Sequence, residues 1–153
     1  MPVDEPKWLD AGEMRAWHAF LAAGALVTRE VEQHLKREGL SHPQYETLVR
    51  LSDAPDGALR MTDLAEALLT SKSGLTYQVE RLEKAGLVRR TAAPGDERGV
   101  VAVLTEAGRQ RLSEVAPGHV ATVRRALIDV LTPGQRRAVA DGLGAVAERL
   151  SGR

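Results

Sequence analysis

Residues 61–105 read MTDLAEALLTSKSGLTYQVERLEKAGLVRRTAAPGDERGVVAVLT, and the fold turns on this stretch. Apolar residues first recur at helical spacing and then switch to strand-like runs. Ser71 can cap a helix by accepting from the free amides of its first turn, with Thr70 as the alternative. Gly86 can take the left-handed position beyond the helix, which makes Leu82 and Leu87 the apolar pair of a Schellman stop. A helix is therefore expected over about 72–85. Within it Leu75, Val79 and Leu82 form one apolar stripe. Ser73, Tyr77, Glu80 and Lys84 lie opposite, flanked by Thr76 and Arg81.

A polar outer face alone describes an ordinary solvated helix, so the neighbours on both sides decide. Upstream, Thr62 is expected to cap a helix carrying Leu64, Ala65, Leu68 and Leu69, and only a brief Leu69-Thr70 turn separates the two helices. Two short helices so joined make a helix-turn-helix. Downstream, Leu87 to Thr91 and Val100 to Leu104 have strand composition and flank the turn-rich run Pro94-Gly95-Asp96-Glu97-Arg98, so a hairpin follows. The expected architecture is mainly α with a small β-hairpin wing at about 88–104, inside a winged-helix region spanning 40–104.

Outward from that region the chain is helical. A long helix is expected over 12–38, with Met14, Trp17, Leu21, Val31 and Leu35 in a near-heptad stripe and Gly39 as its stop. That length exceeds what a small head can cover, so part of the stripe is expected to meet a second chain. Ser41 with Gln44 three residues on forms a capping box for the next helix. Its buried side is Tyr45, Leu48, Val49 and Leu51, and the run 53–57 breaks it. Thr105 is expected to cap another long helix bearing Leu112, Val115, Val123, Leu127 and Val130, with a kink or break at Pro117-Gly118. Thr132, Pro133 and Gln135 start the last helix, whose apolar face is Val139, Leu143, Val146 and Leu150.

Composition narrows the function. The chain has 153 residues, 43% of them hydrophobic, which suits one globular domain. No apolar run reaches the length of a membrane span. The stretch Met1 to Asp10 lacks the basic-then-apolar order of a secretory leader, so a cytoplasmic location is expected. With no cysteine, disulfides, thiolate metal sites and a thiol switch are excluded. His18, His34, His42 and His119 show no i, i+4 pair, so no metal or other cofactor is expected. There is no phosphate-cradling glycine loop and no nucleophile set beside a base, so no enzymatic activity is expected. Formal net charge is zero, with 7 basic and 6 acidic residues in 60–104. Any affinity for nucleic acid must therefore come from where charges sit. Lys72, Arg81, Arg89, Arg90 and Arg98 would have to share a face, with Glu80, Glu83 and Glu97 turned away or paired.

Several runs together resemble the MarR family of winged-helix transcriptional regulators. They are Leu64-Ala65 through Thr70-Ser71-Lys72-Ser73-Gly74-Leu75-Thr76, then Arg81-Leu82-Glu83-Lys84-Ala85-Gly86-Leu87-Val88-Arg89-Arg90. The wing Asp96-Glu97-Arg98-Gly99 and the following Leu104-Thr105-Glu106-Ala107-Gly108 are similar to that family's Asp-x-Arg wing and Leu-Thr-x-x-Gly helix start. The likeness extends to Leu40-Ser41-His42-Pro43-Gln44-Tyr45 and Leu131-Thr132-Pro133-Gly134-Gln135. Tyr77 stands where many members carry an arginine, so the base preference there does not carry over.

The resemblance implies a homodimer, with 12–38 and 105–153 as dimerisation helices, acting as a repressor that a small-molecule ligand releases. The partner would be double-stranded DNA with a pseudo-palindromic operator. Two helices would enter successive major grooves about 34 Å apart, each wing lying in a flanking minor groove. Ser71 and Ser73 would hold phosphate or read bases, and Thr76 and Tyr77 are the expected base-edge contacts. Gln78 could pair with adenine but sits nearer the buried stripe. Lys72, Arg81 and Arg89 would mainly neutralise phosphate. Arg98 suits a narrow A·T-rich minor groove, with Asp96 orienting that arginine or its loop. Trp17, His18, Phe20 and Tyr45 are candidates to line a cleft for an aromatic or phenolic effector, although aromatic residues at helical spacing ordinarily supply core or dimer packing. The alternative is a winged-helix module that docks on another protein and binds no DNA.

Overall fold

A computed structural model describes residues 4–152. The first residues of the stretch read as lacking a secretory leader, 1–3, lie outside them, as does residue 153. The elements in order are α1 (Ala11–Arg37), α2 (His42–Asp53), a 3-10 turn (Pro55–Gly57), β1 (Ala58–Arg60), α3 (Met61–Ala67), α4 (Lys72–Lys84), β2 (Val88–Ala93), β3 (Asp96–Leu104), α5 (Glu106–Ala126), a second 3-10 turn (Ile128–Val130) and α6 (Pro133–Ser151).

Local signals set most of these limits. Ser71 Oγ accepts from the Gly74 amide at α4's start. At its end Gly86 has φ +76° and the Leu87 amide donates to the Leu82 carbonyl at 3.0 Å, the bond of a Schellman stop. Capping boxes form at Ser41 with Gln44 and at Thr132 with Gln135. Thr105 caps α5 and also donates to the Gly86 carbonyl at 2.7 Å, fastening α5 to the end of α4. Gly108 lies so near the Leu87 carbonyl that a Cβ there would stand 2.2 Å from its oxygen. The Leu-Thr-x-x-Gly run is thus a packing device that lets α5 lie on the base of the hairpin.

The sheet is antiparallel in the order β1-β3-β2. A third strand joins the expected hairpin, with Arg60 opposite Val101 and Ala58 opposite Val103. Because β1 runs directly into α3, that helix starts at Met61, and Thr62 sits in its first turn without making a side-chain cap. Pro117 does not interrupt α5 as expected. The residues around it are pinned: Val115 is buried, Gly118 packs under the His34 ring, and buried Thr122 donates to the Gly118 carbonyl at 2.9 Å. One missing helix bond is tolerated there because tertiary contacts hold both sides.

The core gathers Leu35 of α1, Leu48 and Leu51 of α2, Leu64 of α3, Leu75, Val79 and Leu82 of α4, Val88 of β2 and Val115 of α5. All of it lies in the head and the adjoining half of the long helices. In contrast α6 has no buried residue, and none is buried in α1 before Val31. Trp8, Trp17, Phe20, Val139, Leu143, Val146 and Leu150 stand exposed on that side. Between α1 and α6 runs an apolar groove of about 610 Å³, bordered by Phe20, Gly24, Val27, Val139 and Leu143.

Candidate nucleic-acid interface

With its stripe of Leu75, Val79 and Leu82 packed into the core, α4 turns Ser73, Tyr77, Glu80, Arg81 and Lys84 outward. Tyr77 is 56% exposed, and the Arg81 guanidinium carbon lies 5.7 Å from its ring centroid. This i, i+4 cation–π pair holds the two side chains together as one projecting unit. At the helix start the oxygen of Ser71 serves the cap and lies 3.3 Å from that of Ser73. Thr76 donates to the Lys72 carbonyl at 2.9 Å, so its hydroxyl proton is engaged within the helix. Lys72, Thr76, Arg90, Met61, Thr62 and Val100 border a groove of about 180 Å³ between α4 and the sheet.

Three acidic residues of the head, Glu80, Glu83 and Asp96, are paired with arginines, while Glu97 stands exposed on the wing beside Arg98. Arg90 on β2 grips Glu83 through Nε at 3.3 Å, Nη2 at 3.0 Å and its own backbone amide at 3.0 Å. Its Nη1 also lies 4.0 Å from Glu80. The Arg90 hydrogen bonds hold the Glu83 carboxyl below the ordinary range, and Glu83 in turn raises the guanidinium. Arg90 is therefore not a free cation; its charge is matched by two carboxylates. Lys72, Arg81, Arg89 and Arg98 are exposed and enter neither this cluster nor the other ion pairs of the head.

On the wing, Pro94-Gly95 makes the turn, with Gly95 at φ +73°. Asp96 Oδ1 accepts from the Arg98 amide at 3.0 Å, and Oδ2 lies 3.3 Å from Arg60 Nη1. The Arg98 amide, then Arg60, keep the Asp96 carboxyl below its usual value. Arg60 escaped sequence reasoning, because a three-residue strand leaves no periodicity to read.

Not every expected residue joins this surface. Gln78 turns toward α2, into a cleft of about 670 Å³ that it borders with His42, Glu46 and Arg50. Its Oε1 is buried without a hydrogen-bond partner. Tyr45 is buried with its ring 4.3 Å from that of His119, far along the chain on α5. Trp17 and Phe20 stack on each other at 6.1 Å on the exposed half of α1, where His18 also stands. The four effector candidates are thus split between two places.

The family model described as MarR family matches residues 38–99, the stretch from the end of α1 to the wing. A MarR family transcriptional regulator of Streptomyces coelicolor, Sco3205, solved in complex with DNA, superposes with a TM-score of 0.92 at 42% identity, over 96% of this chain and 92% of that one. The chain belongs to the MarR family of transcriptional regulators. Similar sequences include the HTH-type transcriptional regulator YfiV of Bacillus subtilis strain 168, 32% identical over 79% of this chain and 73% of that protein. The HTH-type transcriptional repressor YetL of the same strain is 27% identical over 94% of this chain and 85% of its own length. No helix among the described residues is long and apolar enough to cross a membrane.

Proposed function

We propose that this MarR family member is a homodimeric repressor that binds a pseudo-palindromic operator in double-stranded DNA. The observation that carries the proposal is the sorting of charge on the head. Tyr77, Arg81, Lys72 and Ser73 of α4 and Arg98 of the wing project to solvent, while Arg90 neutralises the acids of the same helix. In this role α4 is the recognition helix and the hairpin 88–104 the wing. Thr76 contributes its methyl, Tyr77 its ring or phenol, Lys72, Arg81 and Arg89 meet phosphate, and Arg98 enters a minor groove. Gln78 has no base-reading part in this orientation.

The exposed apolar faces of α1 and α6 supply the dimer. Exposed apolar side chains gathered on two neighbouring helices support an interface there, and the groove between α1 and α6 would take the same helices of a second copy. A small aromatic or phenolic effector is proposed to release the operator from a cleft between platform and head, the side on which Tyr45 lies. Trp17, His18 and Phe20 would reach such a cleft only from the partner's platform. The regulator acts in the cytoplasm, carries no cofactor and catalyses no reaction.

The test is selection from a random DNA pool followed by fluorescence-anisotropy titration across salt. Expected are a pseudo-palindromic site and a slope of log K against log salt near −7, as for about 7 or 8 neutralised phosphates per dimer. Arg98→Ala should lose affinity, and Tyr77→Ala should change the preferred sequence. No enrichment and no salt slope would overturn the proposal in favour of a protein-docking module.

A further inference from the structure

The wing is unevenly supported. Its base is three-stranded, but β1 ends at Arg60 opposite Val101, so from Val100 to the Pro94-Gly95 turn only β2 and β3 pair. A register shift between Ala92 and Ala93 loosens even that pairing. Two-stranded ribbons are marginal on their own in water, yet this one must present Arg98 at a fixed place. The last residue of β1 makes up the difference. Arg60 reaches beyond the end of its own strand and places Nη1 3.3 Å from Asp96 Oδ2, while Asp96 Oδ1 takes the Arg98 amide at 3.0 Å. Gly99 leaves room for that carboxylate: a Cβ there would stand 2.8 Å from Asp96 Oδ2 and 2.7 Å from the Ala93 Cβ.

We propose that Arg60 is a positioning residue for DNA recognition, bracing the wing tip through Asp96 so that Arg98 is held in register with the recognition helix. It sits at the junction of β1 and α3, so the brace ties the wing to the helix-turn-helix itself. This rests on the proposed minor-groove role of Arg98, and the variants are chosen so that the two can fail separately.

Two measurements test it. The first needs no DNA: amide hydrogen exchange at Arg98 and Gly99 in the free protein should speed up severalfold in Arg60→Gln, and Arg60→Lys should restore part of the protection. Unchanged exchange overturns the brace. The second compares operator affinity on A·T-rich and G·C-rich flanks. Arg98→Ala should lose on the order of tenfold on A·T flanks, the scale of one lost base-directed contact. Arg60→Gln should lose about threefold per wing, within the range of an exposed ion pair, and nothing further in the Arg98→Ala background. Losses that multiply, or that are equal on both flanks, would make Arg60 an independent phosphate contact and overturn its positioning role. If Arg98→Ala binds as wild type while Arg60→Gln still speeds exchange, the minor-groove reading of Arg98 falls and the mechanical brace stands.

Discussion

Exchanging the charges of the Glu83–Arg90 pair one at a time should move DNA affinity in opposite directions. In the folded head Arg90 is committed to Glu83 by two guanidinium contacts and an amide and faces Glu80 as well, while it borders the groove beside Lys72 and Thr76. Glu83→Gln keeps the shape of the side chain and leaves Arg90 with one more unit of uncompensated charge next to the proposed DNA face. If that charge displaces one more counterion per head, the salt slope steepens by about 0.9 per head. At 0.15 M salt this corresponds to about fivefold tighter binding per head and about 30-fold per dimer. Arg90→Ala does the reverse, baring two carboxylates on α4, the proposed recognition helix, and should flatten the slope and weaken binding by a similar factor. The assay is anisotropy on a selected operator and on unrelated duplex at four salt concentrations, because a sequence-independent charge effect must appear on both. Both variants weakening binding to the same extent would refute the electrostatic account. The pair would then act only by fixing the angle between α4 and β2.

Three further outcomes follow from the packing and titration of the chain. Gly118→Ala should gain little or lose stability by thermal denaturation, because its Cβ would meet His34 Cε1 at 2.6 Å; with His34→Ala in place the same change should stabilise by about 1 kcal/mol, the ordinary helix preference for alanine. Burial against Tyr45 pushes the His119 pKa below 6.5, whereas the hydrogen bond to Glu46 raises that of His42. The unfolded chain therefore takes the His119 proton more readily, and stability falls as pH drops below about 6.5 until the folded His119 also protonates. The His42 contribution runs the other way, present in acid and lost as pH rises through its raised value. His119→Gln should flatten the acid limb of the melting midpoint between pH 8 and 5 and His42→Gln should deepen it; unaltered limbs would show that neither ring governs that range. Leu69 holds φ +53° in the helix-turn-helix turn while 77% exposed. Leu69→Gly should raise stability by about 0.5–1 kcal/mol as left-handed strain outweighs glycine's entropy cost, and a lower midpoint would show that the leucine side chain is bound.

What the sequence disclosed and what it hid divide by range. Ser71, Gly86, the two capping boxes and Thr105 act within four residues of themselves, so the helix limits they dictate could be read from the chain. The polar face of α4 was legible for the same reason. The strand Ala58–Arg60 was not, since it exists only through pairing with β3 some forty residues later. Pro117 predicts a break from its own chemistry, but packing of Gly118 against His34 of α1 decides otherwise. For Gln78 and Arg90 tertiary contacts decide the orientation in the same manner. Their residue types suit DNA, yet one faces α2 and the other has nearby acids to satisfy. Tyr45 was grouped with Trp17 and Phe20 because all are aromatic; its partner is His119, which no local pattern reveals.

The net charge of zero, which counts against DNA binding when averaged over the chain, loses its force once each charge has an address. Glu38 pairs with Arg111, Glu30 with Arg125 and Asp129 with Arg124, all on or between the long helices away from the wing. In the head, Glu83 and Glu80 occupy Arg90, and Asp96 occupies Arg60. The fold thus matches these acids with arginines other than Arg81, Arg89 and Arg98, which stay exposed together with Lys72, although Glu97 is exposed on the wing as well. Exposed ion pairs of this kind contribute little to stability, at most about 1 kcal/mol each. Their effect is instead on the local potential, which falls off within a Debye length of about 8 Å at physiological salt. Over that distance a DNA duplex lying on the proposed contact surface would be screened from the acids of the long helices. A neutral chain can therefore present a positive face, and the salt dependence of binding should count the unpaired cations of that face, not the charge of the whole.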